Sequence, residues 1–196
     1  MILSAVERPA REEVEVSKGA VSARGRLLLL FAALATLAAF AKPNPLSLVA
    51  GGLLLVAGEA LRIWAAGHLH KTERLITSGP YCWVRHPMYL GRLLLLSGVG
   101  VAAWLPHYLS LAVLAGGYAL FFAYYLPRKE RVEGARLALQ HGVNYEAYRE
   151  AVPALFPGRS SWKSGAEPWR KERFMRNREG LTSLVLLAYF LLLALR

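Results

Sequence analysis

The chain has 196 residues, of which 55% belong to the hydrophobic set, and it carries a formal net charge of +11 at pH 7. Only 19% of its residues are charged, against about a quarter in a typical soluble domain, so apolar and basic residues must be segregated, as they are in an integral membrane protein. The single cysteine, Cys82, excludes an intramolecular disulfide framework and a cysteine-cluster metal site, and the absence of Asp argues against Asp dyads and Ser-His-Asp triads.

The first two apolar blocks, residues 25–41 and 46–67, predict a transmembrane helical hairpin. Each approaches or reaches the roughly 17–25 residues that a membrane span requires. Between them, Pro43 and Pro45 end one helix and begin the next. The 24 residues before the first block carry four Glu, and no convincing cleavage site follows, so we expect a retained span and not a signal peptide.

Three further apolar blocks follow along the chain. The third runs from about Pro87 to Leu105 and the fourth from about His107 to Leu126, with only a tight turn between them. The fifth, residues 181–195, is short and predicts either a span or an interfacial helix that caps the bundle. The expected fold class is therefore all-α, an integral membrane bundle of four to five transmembrane helices.

The distribution of Lys and Arg predicts the orientation in the membrane. All but four of the 24 lie in residues 1–26, 68–86 or 127–180, and the positive-inside rule places these segments in the cytoplasm. This bias explains the basic charge without nucleic acid, for which no binding motif is present. Membrane lipids are the expected partners, and the basic, aromatic run at 168–180 suits their headgroups. The oligomeric state stays open.

Polar residues at the cytoplasmic edge form a first island, residues 77–91. Gly79 and Pro80 predict a turn, and Pro87 suits the first turn of the third helix. His86 then occupies the N-cap of that helix, at the membrane surface.

A second island, residues 127–148, follows the fourth block. Lys129 and Glu133 lie four apart on a predicted surface helix, either as an exposed salt bridge or as part of a site. On the third helix, Tyr89 and Arg92 are three apart and share a face. Arg92 either extends toward the lipid headgroups or meets an anionic substrate.

The two islands carry the motifs of a known family. In order, the chain has Ser78-Gly79-Pro80-Tyr81, Arg85-His86-Pro87-Met88-Tyr89-Leu90-Gly91, two apolar spans, Glu133 with Leu137, Gly142-x-x-Tyr145-x-x-Tyr148 and Val152-Pro153. This pattern resembles the isoprenylcysteine carboxyl methyltransferase family and the related bacterial phospholipid methyltransferases. The resemblance implies a membrane enzyme that binds S-adenosylmethionine in a cytoplasmic pocket without a Rossmann domain. It would methylate a lipophilic small molecule, a lipid or a lipidated substrate.

The resemblance, which runs from about Gly58 to Pro157, also implies roles for individual residues. In the slot of the family's substrate-binding Arg, it makes Lys129 a candidate substrate ligand. The positions of the side chains add Arg92 as a second candidate substrate ligand, and Tyr89, Glu133 and Arg131 as candidate catalytic residues. No metal site is expected. The implied cofactor contacts are the backbone of Glu73, Arg74, Leu75 and Ile76, the walls Tyr81, His86, Pro87, Met88 and Tyr89, and the acid Glu133.

The family relationship suggests four segments. Residues 1–24 are a cytoplasmic tail and residues 25–67 the hairpin. Residues 68–157 form the catalytic core, with the cofactor loop, two transmembrane helices and the surface helix. Residues 158–196, a basic interfacial segment with a C-terminal hydrophobic helix, extend beyond the resemblance.

The chain departs from the family at two positions. Gly134 stands where the family often has a second Glu, and Lys129 stands where it commonly has Arg, so the bidentate fork of a guanidinium is missing there. Arg128 or Arg131 could take its place as a substrate ligand.

Other interpretations remain open from sequence. Membrane sterol reductases, which use NADPH, share a similar Arg-His-Pro-x-Tyr-x-Gly step, but they often differ at Met88 and Arg92; a non-catalytic membrane scaffold is a further alternative. Glu59 and Arg62, three apart, predict either a buried ion pair or a substrate contact.

Overall fold

The computed structural model describes residues 23–69, 75–106, 108–158, 162–177 and 179–195, and all regular secondary structure within these ranges is helical. The prediction of an all-α chain is thus confirmed. The helices are α1 (Ala23–Phe40), α2 (Pro45–His68), α3 (Pro87–Ala103), α4 (Leu109–Leu120), α5 (Leu126–His141), α6 (Val143–Ala151), α7 (Lys171–Arg176) and α8 (Glu179–Ala194), with a 3-10 turn at Gly79–Cys82 and a π-helical segment at Phe121–Tyr125.

Contacts divide the chain into a first unit that ends at Ala39 and a second that begins at Phe40. The first unit contains almost all of α1, in which the hydroxyl of Thr36 donates to the carbonyl of Ala32 at 2.8 Å. The hairpin arrangement of the first two blocks stays a prediction.

Helix α2 begins at a capping box. The side-chain oxygen of Asn44 accepts a hydrogen bond from the backbone N–H of Ser47 at 2.9 Å, and the Ser47 hydroxyl accepts one from the backbone N–H of Asn44 at 3.0 Å. Pro45 occupies the first turn, where its missing N–H is not needed. The predicted helix start after Lys42 and Pro43 is therefore confirmed.

Small residues allow α2 and α3 to pack closely. A Cβ built on Gly51 would lie 2.6 Å from the Cβ of Ala102, and one on Gly58 would lie 2.9 Å from the carbonyl oxygen of Gly91. Such stripes of small residues are typical of helix pairs in membranes, where close backbone approach replaces the hydrophobic drive of water. This packing sets the position of the first turns of α3.

Glu59 and Arg62 form an ion pair inside this helix pair. The Nη1 of Arg62 lies 3.1 Å from Oε2 of Glu59, and Arg62 is only 3% exposed. The hydroxyl of Ser183 on α8 donates to the other carboxylate oxygen of Glu59. Of the two sequence interpretations, the structure has the buried ion pair, and it connects α8 to α2.

The loop before α3 is held by its glycine. Gly79 has φ of +58°, and a Cβ there would lie 2.5 Å from Nε2 of His68. Nδ1 of His68 and Oγ of Ser78 are hydrogen-bonded at 3.1 Å. The predicted turn at Gly79 and Pro80 is confirmed, and it is a 3-10 turn pressed against the end of α2.

The fourth block and the second island form one continuous helix. Helix α4 passes through the π-helical segment directly into α5, and together they run from Leu109 to His141 over 33 residues. The sequence predicted a span ending near Leu126 and a separate short surface helix, so that boundary was wrong. Pro127 does not break the helix because it lies at the start of α5, next to a turn whose register is already changed.

The stretch from Trp169 to Asn177, called the C-terminal segment below, docks on the carboxyl end of α2. The indole N–H of Trp169 donates to the carbonyl of Ile63 at 3.1 Å, and the backbone N–H of Arg170 donates to the carbonyl of Gly67 at 3.0 Å. The side-chain amide of Asn177 donates to the carbonyl of Ala66 at 2.9 Å. Together, these donors cap carbonyls of the last turns of α2, some of which would otherwise lack partners.

Two helices of the described chain, Pro45–His68 and Leu109–His141, are long and apolar enough to cross a membrane. Shorter apolar helical stretches lie at Phe31–Phe40, Pro87–Ala103 and Ser183–Ala194. These lengths agree with a membrane protein. The count of four to five spans stays a prediction.

Candidate functional site

A cavity of about 500 Å³ opens beside the first turns of α3. This volume lies within the range of about 300–1,000 Å³ that is typical of pockets for small molecules. Its walls come from the end of α2, the loop before α3, α5, α6 and the C-terminal segment. The lining residues are Leu69, Leu75, Ile76, Tyr81, Arg85, His86, Pro87, Met88, Tyr89, Arg92, Lys129, Glu133, Arg136, Leu137, Tyr145, Tyr148 and Asn177.

The loop wall is fastened to the chain that follows α6. The backbone N–H groups of Arg85 and His86 donate to the carbonyls of Pro153 and Ala154, each at 2.9 Å. This pairing joins the residues before α3 to those after α6. It holds the N-cap residue His86 at the edge of the cavity.

Two tyrosines from α6 also line the cavity and contact the loop before α3. The hydroxyl of Tyr148 donates to the carbonyl of Tyr81 at 2.6 Å, and burial raises the pKa of Tyr148 above its ordinary value, so it stays a donor. Tyr145 and Tyr148 pack with Leu75 and Leu137. The result is a largely apolar surface suited to an aromatic ring system.

A carboxylate faces the start of α3. Oε1 of Glu133 accepts a hydrogen bond from the hydroxyl of Tyr89 at 2.7 Å, and the Nζ of Lys129 lies 3.5 Å from the same oxygen. The predicted Lys129–Glu133 pair therefore exists, and Tyr89 bonds to the same carboxylate oxygen. All three residues line the cavity, so the pair is part of the candidate site and not only a surface salt bridge.

His86 is hydrogen-bonded to Glu130, which lies on α5 next to Arg131. Its Nε2 lies 3.0 Å from Oε1 of Glu130, which also lies 3.1 Å from Nη2 of Arg85. Because a carboxylate only accepts, Nε2 carries the proton. Burial lowers the pKa of His86 more than the bond to Glu130 raises it, so the ring is neutral at pH 7. Its ring stacks on that of Tyr89, with the centres 5.1 Å apart.

Arg92 lies one turn further along α3. Its Nη1 donates to the hydroxyl of Tyr125, and its guanidinium carbon lies 5.6 Å from the centre of the Tyr89 ring. Among the described lining residues, Arg92 is accompanied by three more cations and only one carboxylate: Arg85, Lys129, Arg136 and Glu133. The cavity is therefore electropositive and favours ligands that carry an anionic group.

The structure brings ten of the sequence-predicted site residues to this cavity: Leu75, Ile76, Tyr81, His86, Pro87, Met88, Tyr89, Arg92, Lys129 and Glu133. Glu73 and Arg74, the other predicted cofactor contacts, lie outside the described residues. Arg131 does not line the cavity; its side chain is exposed because it lies on a different face of α5 from Lys129 and Glu133.

Sequence reasoning left seven lining residues unassigned: Leu69, Arg85, Arg136, Leu137, Tyr145, Tyr148 and Asn177. Arg85, Leu137, Tyr145 and Tyr148 belong to the motifs that carried the resemblance, so those motifs were a usable signal. Arg136 lies three residues after Glu133 on the same helix, and helical spacing could have found it. Asn177 had no signal, since only the docking of the C-terminal segment brings it here.

The part of the chain that the structure describes contains no group of three or more His, Cys or Glu side chains placed to hold a metal ion. A second, almost wholly apolar cavity of about 250 Å³ lies between α2, α3 and α8, beside Glu59 and Ser183. Its lining offers little chemistry, so the larger cavity is the candidate site.

Comparisons with known proteins agree with the motifs. Residues 46–129 match the family model for phospholipid methyltransferases. The chain is 35% identical over 138 residues to the cobalt-zinc-cadmium resistance protein CzcN of Cupriavidus metallidurans. The aligned region covers 68% of this chain and 60% of that protein.

Two further relatives are protein-S-isoprenylcysteine O-methyltransferases. The one from Homo sapiens is 32% identical over 123 residues, or 56% of this chain and 40% of that protein. The one from Schizosaccharomyces pombe is 28% identical over 104 residues, or 53% of this chain and 42% of that protein. The chain thus spans 40% to 60% of the length of these relatives. No solved structure matches it.

Proposed function

Because the chain is related to the isoprenylcysteine carboxyl methyltransferase and phospholipid methyltransferase family, we propose that it transfers a methyl group from S-adenosylmethionine to a lipophilic acceptor at the membrane surface. One observation carries the proposal. Ten residues predicted from the sequence to form the site, from a loop and two helices, line one cavity of about 500 Å³. Their convergence is what a shared ligand requires.

The residues present fit this cofactor. The carboxylate of Glu133 suits its ammonium group, and the cations Arg85 and Arg136 suit its carboxylate. The apolar surface of Leu75 and Tyr145 suits adenine. When bound, the cofactor supplies an electrophilic methyl group.

The protein's own part in the reaction is orientation and the exclusion of water. Tyr89, His86 and Tyr81 enclose the cavity at the start of α3. A carboxylate acceptor needs no base, since it already carries a lone pair. An amine acceptor must lose a proton, and Glu133, hydrogen-bonded to Tyr89, is the nearest carboxylate to receive it.

The acceptor reaches this cavity from the membrane. We propose that it is either a prenylcysteine-type carboxylate or a phospholipid amine, because one relative is a protein-S-isoprenylcysteine O-methyltransferase and the matching family model is that of phospholipid methyltransferases. Four cations in the lining favour an acceptor with an anionic group. Arg92 and Lys129 lie where α3 and α5 face each other and are the proposed ligands of that group.

The same reasoning extends to topology. We propose a multi-pass protein whose N-terminus and active site face the cytoplasm, since all but four of the Lys and Arg residues lie on one predicted side. The four segments of the sequence analysis remain our proposed organisation, with residues 68–157 as the catalytic core. The docked C-terminal segment adds Asn177 to that core.

A labelling experiment tests the proposed function. Membranes that contain the protein receive S-adenosylmethionine labelled on its methyl group, together with N-acetyl-S-farnesylcysteine or phosphatidylethanolamine vesicles. We expect label in one of these lipophilic acceptors, and none with the Glu133→Gln variant. Absence of label from every lipid-extractable product, with S-adenosylmethionine binding also absent, would refute the proposal.

A further inference from the structure

Tyr125 holds Arg92 at the edge of the cavity. Nη1 of Arg92 donates a hydrogen bond to the hydroxyl oxygen of Tyr125. The guanidinium carbon lies 5.9 Å from the centre of the Tyr125 ring and 5.6 Å from that of Tyr89. One hydrogen bond and two aromatic faces therefore fix the direction of this side chain.

The π-helical segment brings Tyr125 to this position. The backbone N–H of Leu126 bonds to the carbonyl of Phe121, five residues earlier. This wider turn changes the register of α5 relative to α4, and such turns frequently occur at functional sites. The centre of the Tyr125 ring lies 5.6 Å from that of Phe121 and 5.5 Å from that of Tyr89. The three rings belong to a cluster that also includes the buried Leu93.

The register of α5 also aligns Tyr125 with the candidate site. Tyr125, Lys129 and Glu133 follow one another at intervals of four residues, so they share a helix face. Two bonds connect this face to α3: Tyr89 donates to Glu133, and Arg92 donates to Tyr125. Tyr125 itself does not line the cavity, whereas Arg92 does.

Arg92 keeps donors available for a ligand. A guanidinium has five N–H groups, and within the described ranges no carboxylate pairs with Arg92. The planar fork of a guanidinium matches an oxyanion with two parallel hydrogen bonds, which the ammonium of Lys129 cannot do. Arg92 therefore offers the guanidinium fork that Lys129 lacks.

We propose that Tyr125 is the positioning residue of an oxyanion site in which Arg92 binds the charged group of the lipophilic acceptor. The inference rests on the proposed function, because it assigns the acceptor's anionic group to a place in the same cavity. A carboxylate and the phosphodiester of a phospholipid share the required chemistry, two oxygens that a guanidinium fork can bind, and the phosphate monoester used below as a probe presents the same oxygens. Tyr125 acts through Arg92 and does not touch the acceptor's reacting atoms.

Two pairs of probes measure this site in the full-length, detergent-purified protein. N-acetyl-S-farnesylcysteine is compared with its methyl ester, and farnesyl phosphate is compared with farnesol. Within each pair the apolar chain is shared and the anionic group is removed. The ratio of the two affinities, measured by isothermal titration, reports the contribution of the oxyanion alone, and the two pairs distinguish a carboxylate from a phosphate.

We expect the wild type to prefer the charged member of at least one pair. Tyr125→Phe keeps the ring but removes the hydrogen-bond acceptor, so this preference falls about fivefold to tenfold, while the affinity for the neutral member stays the same. Tyr124→Phe is the matched control: Tyr124 is exposed, and its ring lies 6.0 Å from the guanidinium of Arg128, away from Arg92. Its ratio equals that of the wild type.

A purely structural role of Tyr125 would lower the affinity for both members of a pair equally, and that result overturns the proposal. A wild type without preference in either pair overturns it as well. If Tyr125→Phe does not fold, Arg92→Lys takes its place; it keeps the charge, loses the fork and is expected to lose the preference, and an unchanged ratio contradicts the site.

The proposed function is tested separately on the same samples. Tyr125→Phe should bind S-adenosylmethionine within about twofold of the wild type, since the altered hydroxyl does not line the cavity. A wild type that binds no S-adenosylmethionine refutes the methyltransferase assignment. A wild type that binds it, with an unchanged charge preference in Tyr125→Phe, refutes only the role of Tyr125.

Discussion

The hydroxyl of Tyr89 donates a hydrogen bond of 2.7 Å to Oε1 of Glu133, although 44 residues separate them in the chain. This bond joins the first turn of α3 to α5. It brings the aromatic wall of the cavity and its one described carboxylate into contact. The relationship gives Tyr89 a task that its place in the motif does not reveal: it orients the acid.

Removal of this hydroxyl should weaken cofactor binding without destroying the site. Tyr89→Phe keeps the ring that stacks on His86 but leaves Glu133 with Lys129 alone. We expect the dissociation constant for S-adenosylmethionine to rise about fivefold to twentyfold, the loss of one hydrogen bond to a charged group. Isothermal titration measures it.

Tyr118→Phe is the control for this variant. Tyr118 shares its hydroxyl bond with Ser97, at 2.7 Å, and does not line the cavity. Equal affinities for the wild type and Tyr89→Phe would show that the bond to Glu133 has no part in binding.

The pH dependence of stability should report the neutral state of His86. Burial lowers the pKa of His86, while Glu130 raises it and Arg85 lowers it by smaller amounts. The unfolded chain has the ordinary value of about 6.5, so at lower pH the unfolded state binds the extra proton more readily than the folded state. Stability from this group is therefore present above pH 6.5 and is lost as the pH falls below it.

Thermal unfolding between pH 8 and pH 5 measures this effect. The wild type should lose more of its Tm below pH 6.5 than His86→Gln, which keeps a donor for Glu130 but cannot titrate. Parallel curves for the two proteins would mean that His86 is not held neutral by the fold.

The docking of the C-terminal segment depends on Gly67. A Cβ at this position would lie 1.8 Å from the indole nitrogen of Trp169, so Gly67→Ala must displace the segment. We expect a loss of about 1–3 kcal/mol in the free energy of unfolding, as for other overpacked sites. Chemical denaturation in detergent measures it.

Gly116→Ala provides the comparison, because a Cβ there meets nothing within 4 Å and alanine favours the helix. The effect of Gly67→Ala should also shrink when Trp169 is replaced by Ala in the same chain, since the clash is then removed. A full, additive loss in that double variant contradicts this docking arrangement.

Much of the candidate site was predictable because its motifs are local. The step from Arg85 to Gly91 contains both the N-cap and the first turn of α3 within seven residues. Helical spacing placed Lys129 beside Glu133. Such features follow from backbone geometry over a few residues, which the sequence expresses directly.

Other parts of the site depend on distant contacts that no local pattern contains. The π-helical segment changes the register of α5 and brings Tyr125 to Arg92, yet the sequence of this region indicates only an apolar helix. Asn177 reaches the cavity because Trp169 fits over Gly67 and donates to the end of α2. Both effects arise from packing between segments that are distant in the chain. The hydrophobic periodicity of a single sequence does not reveal such contacts.

The binding of S-adenosylmethionine to the purified protein tests most directly the proposal that the cavity beside α3 holds this cofactor. We expect the wild type to bind one equivalent, and Glu133→Gln to bind at least tenfold more weakly because the cavity loses its described carboxylate. Glu146→Gln changes a half-exposed Glu that pairs with Arg149 on α6 and does not line the cavity, and it should match the wild type. Absence of binding to the wild type, or equal affinity in Glu133→Gln, would contradict the proposed cofactor site.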